Sequence, residues 1–124
     1  MSHSLVPATD YPQVVGQILR NEREAKERSQ TDMAATLGLT QSAWSRIERG
    51  QAPINIEQLA VVAHNLGTTP SALLTKADTV VAAARERGVH VADKREADPL
   101  AVGLAVIGVA ALGAIIATAL SKQK

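Results

Sequence analysis

The sequence predicts an all-α protein: five short helices within residues 11–75, a partly helical linker over 76–99, and a single C-terminal transmembrane helix over 100–120. Three observations carry this. Capping residues recur just ahead of apolar helical faces, and most of these segments are closed by a glycine. Aromatics are nearly absent, with one Trp, one Tyr and no Phe, so the core must be aliphatic and small, as in a helical bundle. Finally, 21 consecutive residues from Leu100 to Leu120 carry no charge.

The organising stretch is Ser29 to Gly50. Ser29 is a good N-cap, with Asp32 three residues on. Met33, Ala34 and Leu37 then share one helical face. Gly38 ends that helix, because the left-handed backbone of a helix C-terminus favours Gly. Leu39 is an apolar plug in the turn, Thr40 caps the next helix, Trp44 and Ile47 point inward, and Gly50 closes it. The second helix starts so soon after the first that the two must cross steeply around Ala34, Leu39 and Ile47. The indole N–H of an inward Trp44 needs a partner or water.

This stretch resembles the helix-turn-helix of Cro/CI-type repressors, the XRE family, over about Val15 to Leu74. The residues that carry it are Gln30, Ala34, Gly38, Leu39, the run Ser45-Arg46-Ile47-Glu48-Arg49-Gly50, and Leu59-Ala60 with Leu66-Gly67. Trp44 departs from the pattern, which usually has Ile or Val there. The resemblance implies a five-helix lambda-repressor-like domain that binds double-stranded DNA with its second motif helix in the major groove. Such a helix offers its N-terminal side chains to base edges. The implied base contacts are Gln41, Ser42 and Arg46; Gln pairs bidentately with adenine and Arg with guanine. Gln30, Thr40, Ser45 and Arg49 are the implied backbone contacts. Arg23 and Glu48 are the implied structural ion pair, and the last helix is the implied homodimer contact.

Charge qualifies this. Residues 1–75 hold six Lys/Arg and seven Asp/Glu. A near-neutral domain lacks the cation excess that drives non-specific DNA binding by counterion release. Backbone N–H groups and helix N-termini can still hold phosphates. Modest affinity is therefore expected for a monomer, which makes a homodimer or a tether matter. There is no Cys, hence no disulfide, thiolate metal site or thiol nucleophile. His3, His64 and His90 lack ligand spacing, and Gly103, Gly108 and Gly113 lack the Lys-Ser/Thr of a phosphate loop. No catalytic residue, metal or cofactor is expected.

The flanks complete the reading. Residues 1–10 are polar and expected to fray. Helix 1 is expected from Asp10–Pro12 to Arg28, with Val15, Ile18, Leu19 and Ala25 inward. Its outer face offers i,i+4 pairs Arg20–Glu24, Glu24–Arg28, Glu22–Lys26 and Arg23–Glu27. Asn55 with Gln58 caps helix 4, whose apolar face includes Ile56, Leu59 and Ala60. Thr69 with Pro70 starts helix 5. Val80, Val81 and Ala84 form an apolar stripe in the linker, and Val89–Ala92 is ambiguous.

As a helix, Leu100–Leu120 would span about 31 Å, roughly the hydrocarbon thickness of a bilayer. Residues 121–124 follow as a short tail. The flanking Arg85, Arg87, Lys94 and Arg95 outnumber Lys122 and Lys124, which places the N-terminal domain in the cytoplasm, at a bacterial inner membrane. The expected function is a membrane-anchored transcriptional regulator, with DNA, the lipid bilayer and a second copy as partners. The alternative is a membrane-tethered adaptor of RodZ-like layout whose partner is a protein.

Overall fold

The computed structural model describes residues 6–93 and 104–121. Strand β1 (Val6–Asp10) leads into helices α1 (Tyr11–Ala25), α2 (Gln30–Thr36), α3 (Gln41–Glu48), α4 (Ile56–Asn65) and α5 (Pro70–Glu86). Strands β2 (His90–Ala92) and β3 (Leu104–Val106) and helix α6 (Val109–Ser121) follow.

The helix starts fall where short-range chemistry puts them. Asp10 accepts from the Gln13 N–H at 2.8 Å, Thr40 from Ala43 at 3.1 Å and Thr69 from Ala72 at 3.1 Å. Ser29–Asp32 and Asn55–Gln58 are reciprocal capping boxes. Each pairs a backbone N–H that a helix N-terminus leaves without an intrahelical acceptor. Helix α1 ends earlier than expected. Glu27 adopts φ 54°, and the Arg28 N–H closes on the Arg23 carbonyl at 3.1 Å, so the chain leaves the helix after Ala25. Ala25 is exposed as a result, and Val14 is the buried apolar side chain of α1 that the expected face omitted. On α4, Ile56 is 86% exposed and Ala60 is exposed; both were expected inward.

The all-α expectation is corrected by a three-stranded parallel sheet in the order β2-β1-β3. Ala8, Thr9 and Asp10 pair with His90, Val91 and Ala92, while Val6, Pro7 and Ala8 pair with Leu104, Ala105 and Val106. Residues 6–10 are therefore a central strand and not a frayed end. Ala8 and Thr9 are buried, and the Thr9 hydroxyl donates to Gln13 Oε1 at 2.5 Å.

The expected linker is largely structure too. Residues 76–86 are the second half of α5, with Ala77, Val80, Val81 and Ala84 buried, and His90–Ala92 is β2. Residues 94–99 lie outside the described part.

The expected transmembrane helix from Leu100 to Leu120 does not form as one helix. Leu104–Val106 is strand β3, the Ile107 N–H is taken by the Ala8 carbonyl at 2.7 Å, and α6 starts only at Val109. At 13 residues α6 is about 20 Å long. Its Leu112, Ile115, Ile116 and Ala119 are buried, and Leu120 packs partly buried against the same core. No helix among the described residues is long and apolar enough to cross a membrane. Leu100 lies outside the described residues.

One apolar core joins α1 through α6, with Ile18, Leu19, Met33, Trp44, Leu66 and Leu73 among its largest buried side chains. Arg20–Glu24 forms at 3.0 Å as expected. Glu22 instead pairs with Lys76 across to α5, and Arg23 turns inward to Glu48. That leaves no partner in either residue for the expected pairs with Lys26 and Glu27.

Candidate nucleic-acid interface

Helices α2 and α3 are joined by a tight turn: Gly38 takes φ 67°, and the Leu39 N–H closes on the Ala34 carbonyl at 2.9 Å. This sets α3 across α2 with Ala34 buried beneath it. The back of α3 is sealed, with Trp44 0%, Ile47 5% and Glu48 4% exposed. Its last turn is held by α1. A Cβ on Gly16 would lie 2.5 Å from the carbonyl oxygens of Ile47 and Glu48, and one on Gly50 would lie 2.5 Å from Gln13 Cα. Only glycine permits these two approaches, and Gly50 also has φ 72°.

The front of α3 presents Gln41, Ser42, Arg46 and Arg49 as exposed side chains, with Ser45 half-buried beside them. Among the described residues neither Arg46 nor Arg49 has an ion-pair partner, so both charges face outward. The Thr40 hydroxyl is engaged as the α3 cap. The structure thus brings Gln41, Ser42, Ser45, Arg46 and Arg49, with the α3 cap Thr40, onto one side of the molecule.

Beneath that side lies a polar network that the sequence shows only in part. The Arg23–Glu48 pair is present and two-pronged: Nε donates to Oε2 at 2.6 Å and Nη2 to Oε1 at 3.0 Å. The guanidinium also donates to the Arg28 carbonyl at 2.8 Å. The hydrogen bond to Glu48 raises the Arg23 pKa above its ordinary value, against the opposing effect of burial. Trp44 finds the partner its indole requires in the same carboxylate, Nε1 to Oε2 at 2.6 Å. Gln30 donates to Glu48 Oε1 at 2.8 Å and accepts from Gln41 Nε2 at 2.6 Å. Gln30, expected at a phosphate, is therefore tied at both ends of its amide. Its link to Glu48 was not legible, since 18 residues separate them. The Trp44–Glu48 link was not read either, although their spacing of four residues, one helical turn, is the signal that could have found it.

Among the described residues no group of three or more His, Asp or Glu side chains could hold a metal ion. The geometry offers exposed amide, hydroxyl and guanidinium groups on a rigid helix, which is equipment for recognition.

A profile described as a helix-turn-helix domain matches residues 14–75. The chain belongs to the helix-turn-helix domain family. Among solved structures, this helix-turn-helix protein is similar to the clp gene regulator ClgR from Corynebacterium glutamicum. One crystal structure of ClgR matches at 28% identity and a TM-score of 0.58, covering 65% of this chain and 88% of that one. A second matches at 27% identity and a TM-score of 0.53, covering 56% and 91%. Hydroxypropylphosphonic acid epoxidase from S. wedmorenis matches at 25% identity and a TM-score of 0.47, over 58% of this chain and 35% of that one. At that score the likeness carries no argument about this chain. No curated protein matches.

Proposed function

We propose that this helix-turn-helix protein is a sequence-specific DNA-binding transcriptional regulator of the Cro/CI type, a repressor that inserts α3 in the major groove. The carrying observation is the division of α3 into a sealed back and an open front. Trp44, Ile47 and Glu48 are buried, while Gln41, Ser42 and Arg46 are exposed along one edge. In this reading those three meet base edges, and Gln30, Thr40, Ser45 and Arg49 lie toward the phosphates. The likeness to a protein described as a gene regulator supports it. The near-neutral charge of residues 1–75 makes two-site binding by a homodimer the natural route to useful affinity.

The deciding experiment selects binding duplexes from a random-sequence pool with the full chain, then compares Arg46→Ala on the selected site and on scrambled DNA. The variant is expected to lose about 1–3 kcal/mol at one base pair and to relax preference there. Equal affinity for selected and scrambled DNA before and after the change refutes the role of Arg46.

The neutral domain charge favours a second reading, an adaptor that binds protein. A selection that returns no enriched duplex, with a protein partner retained, decides for it. A location at the bacterial inner membrane, N-terminal domain in the cytoplasm, is a separate proposal. It is supported by the uncharged run Leu100–Leu120 and its basic flanks, and it requires α6 to leave its seat on the domain. Recovery of the full chain in the soluble fraction of its host would exclude it.

A further inference from the structure

We propose that Glu48 and Trp44 are positioning residues for base selectivity: held by Arg23 and the Trp44 indole, the buried Glu48 carboxylate fixes the orientation of the Gln30 amide, and through it the edge of the Gln41 amide that faces DNA. This rests on reading Gln41 as a base contact.

An ionised carboxylate only accepts, and its two oxygens offer about four sites. Here four N–H groups fill them. Oε2 takes Arg23 Nε and Trp44 Nε1, each at 2.6 Å. Oε1 takes Arg23 Nη2 at 3.0 Å and Gln30 Nε2 at 2.8 Å. Glu48 is 4% exposed and Trp44 0%, so solvent does not stand in for a missing donor.

Charge then dictates the direction of the chain of bonds. An amide carbonyl turned toward Glu48 would set oxygen against an anionic oxygen, so Gln30 must offer its NH2 group there. Its carbonyl is left pointing to α3, where it accepts from Gln41 Nε2 at 2.6 Å. Gln41 is exposed and spends one amide hydrogen on this bond. Its second amide hydrogen and its carbonyl remain, one donor beside one acceptor, which is what a bidentate contact to adenine requires. Reversing Gln30 would reverse Gln41 and leave only donors outward, a pattern suited to the two acceptors of guanine. The buried anion thus selects between two readings of one exposed side chain. Trp44 occupies the site on Oε2 that would otherwise let the carboxylate rotate away from Gln30.

The test uses the full chain and duplexes from the random-pool selection, with every base substituted in turn at each position. Gln41→Ala should lower preference at one base pair by roughly tenfold or more. Gln30→Met, a change at a half-buried surface position that removes the amide, should lower preference at that same base pair several-fold. Trp44→Phe, which keeps a ring and removes the N–H, should do likewise. Salt dependence of binding should stay unchanged in all three, since none of the changes removes a charge that would displace a counterion from a phosphate. A purely structural role would instead lower affinity for every sequence alike, and that outcome overturns the proposal. So does wild-type preference in Gln30→Met and Trp44→Phe while Gln41→Ala abolishes it, a result that leaves the base contact standing. Unchanged preference in Gln41→Ala overturns both. If Trp44→Phe does not fold, Gln30→Met decides alone.

Discussion

A buried carboxylate with four donors is stable only while its cation remains. The Arg23 and Glu48 side chains are 10% and 2% exposed. Glu48→Ala leaves a buried guanidinium and a buried indole N–H without their acceptor, and should cost about 3–5 kcal/mol. Urea unfolding followed by fluorescence of the single Trp measures this directly; a loss below 1 kcal/mol would show that the pair is solvated in solution. A second residue has a signature in pH. The single Tyr, Tyr11, donates to Asp78 Oδ1 at 2.9 Å, and its pKa is raised to about 12, first by burial and then by Asp78. A folded-state value above the unfolded one means that this contribution to stability is complete below pH 10.0 and is lost as pH rises through about 12. Near-ultraviolet absorbance should show phenolate forming close to that value. Asp78→Asn should move it down without restoring the ordinary value, because burial is the larger cause; a full return would make Asp78 the sole cause.

At the scale of elements, what fixes α3 is the closeness of α1 to its last turn. Gly16→Ala forces a methyl group against two backbone carbonyls that cannot swing aside, since both belong to a helix end. It should destabilise by about 1–3 kcal/mol. It should also weaken binding to the selected duplex beyond the fraction unfolded, because α3 must tilt. Affinity unchanged after correction for folding would show that the tilt is absorbed elsewhere. The helices were legible in the sequence because their signals are local: Ser29 with Asp32, Asn55 with Gln58, and Thr69 before Pro70 all cap the helices they foretell. The strands were not. β2 and β3 have three residues each, too few for an alternating pattern to register, and β1 holds a proline. Their pairing joins residues far apart in the chain, which no local window sees. The recognition edge was legible by position, while the bond from Gln30 to Glu48 beneath it needed the fold.

At the scale of the whole molecule, the C-terminal segment decides how the fold is closed. Hydropathy measures how badly a segment wants to leave water, and says nothing of whether protein or lipid receives it. That is why Leu100–Leu120 reads as a bilayer span, while α6 rests one face on α1 and α5. Its buried side is Leu112, Ile115, Ile116 and Ala119, and its outward side is Ala110, Ala111, Ala114 and Ala117. The two destinations predict opposite mutational behaviour. If α6 belongs to the core, Ile116→Ala removes buried methylenes at a site 2% exposed and should cost the domain about 2–5 kcal/mol. Ala114→Lys, on the outward side, should then fall within about 0.5 kcal/mol of the parent. If the segment serves only as an anchor, Ile116→Ala leaves domain unfolding unmoved, and Ala114→Lys is the damaging change, releasing the chain from membranes. Urea unfolding read at the buried Trp44, with fractionation of the same two variants, separates the cases. Trp44 reports on the docked state because it and Ile116 lie in one core cluster, so a helix that has left the domain is silent there.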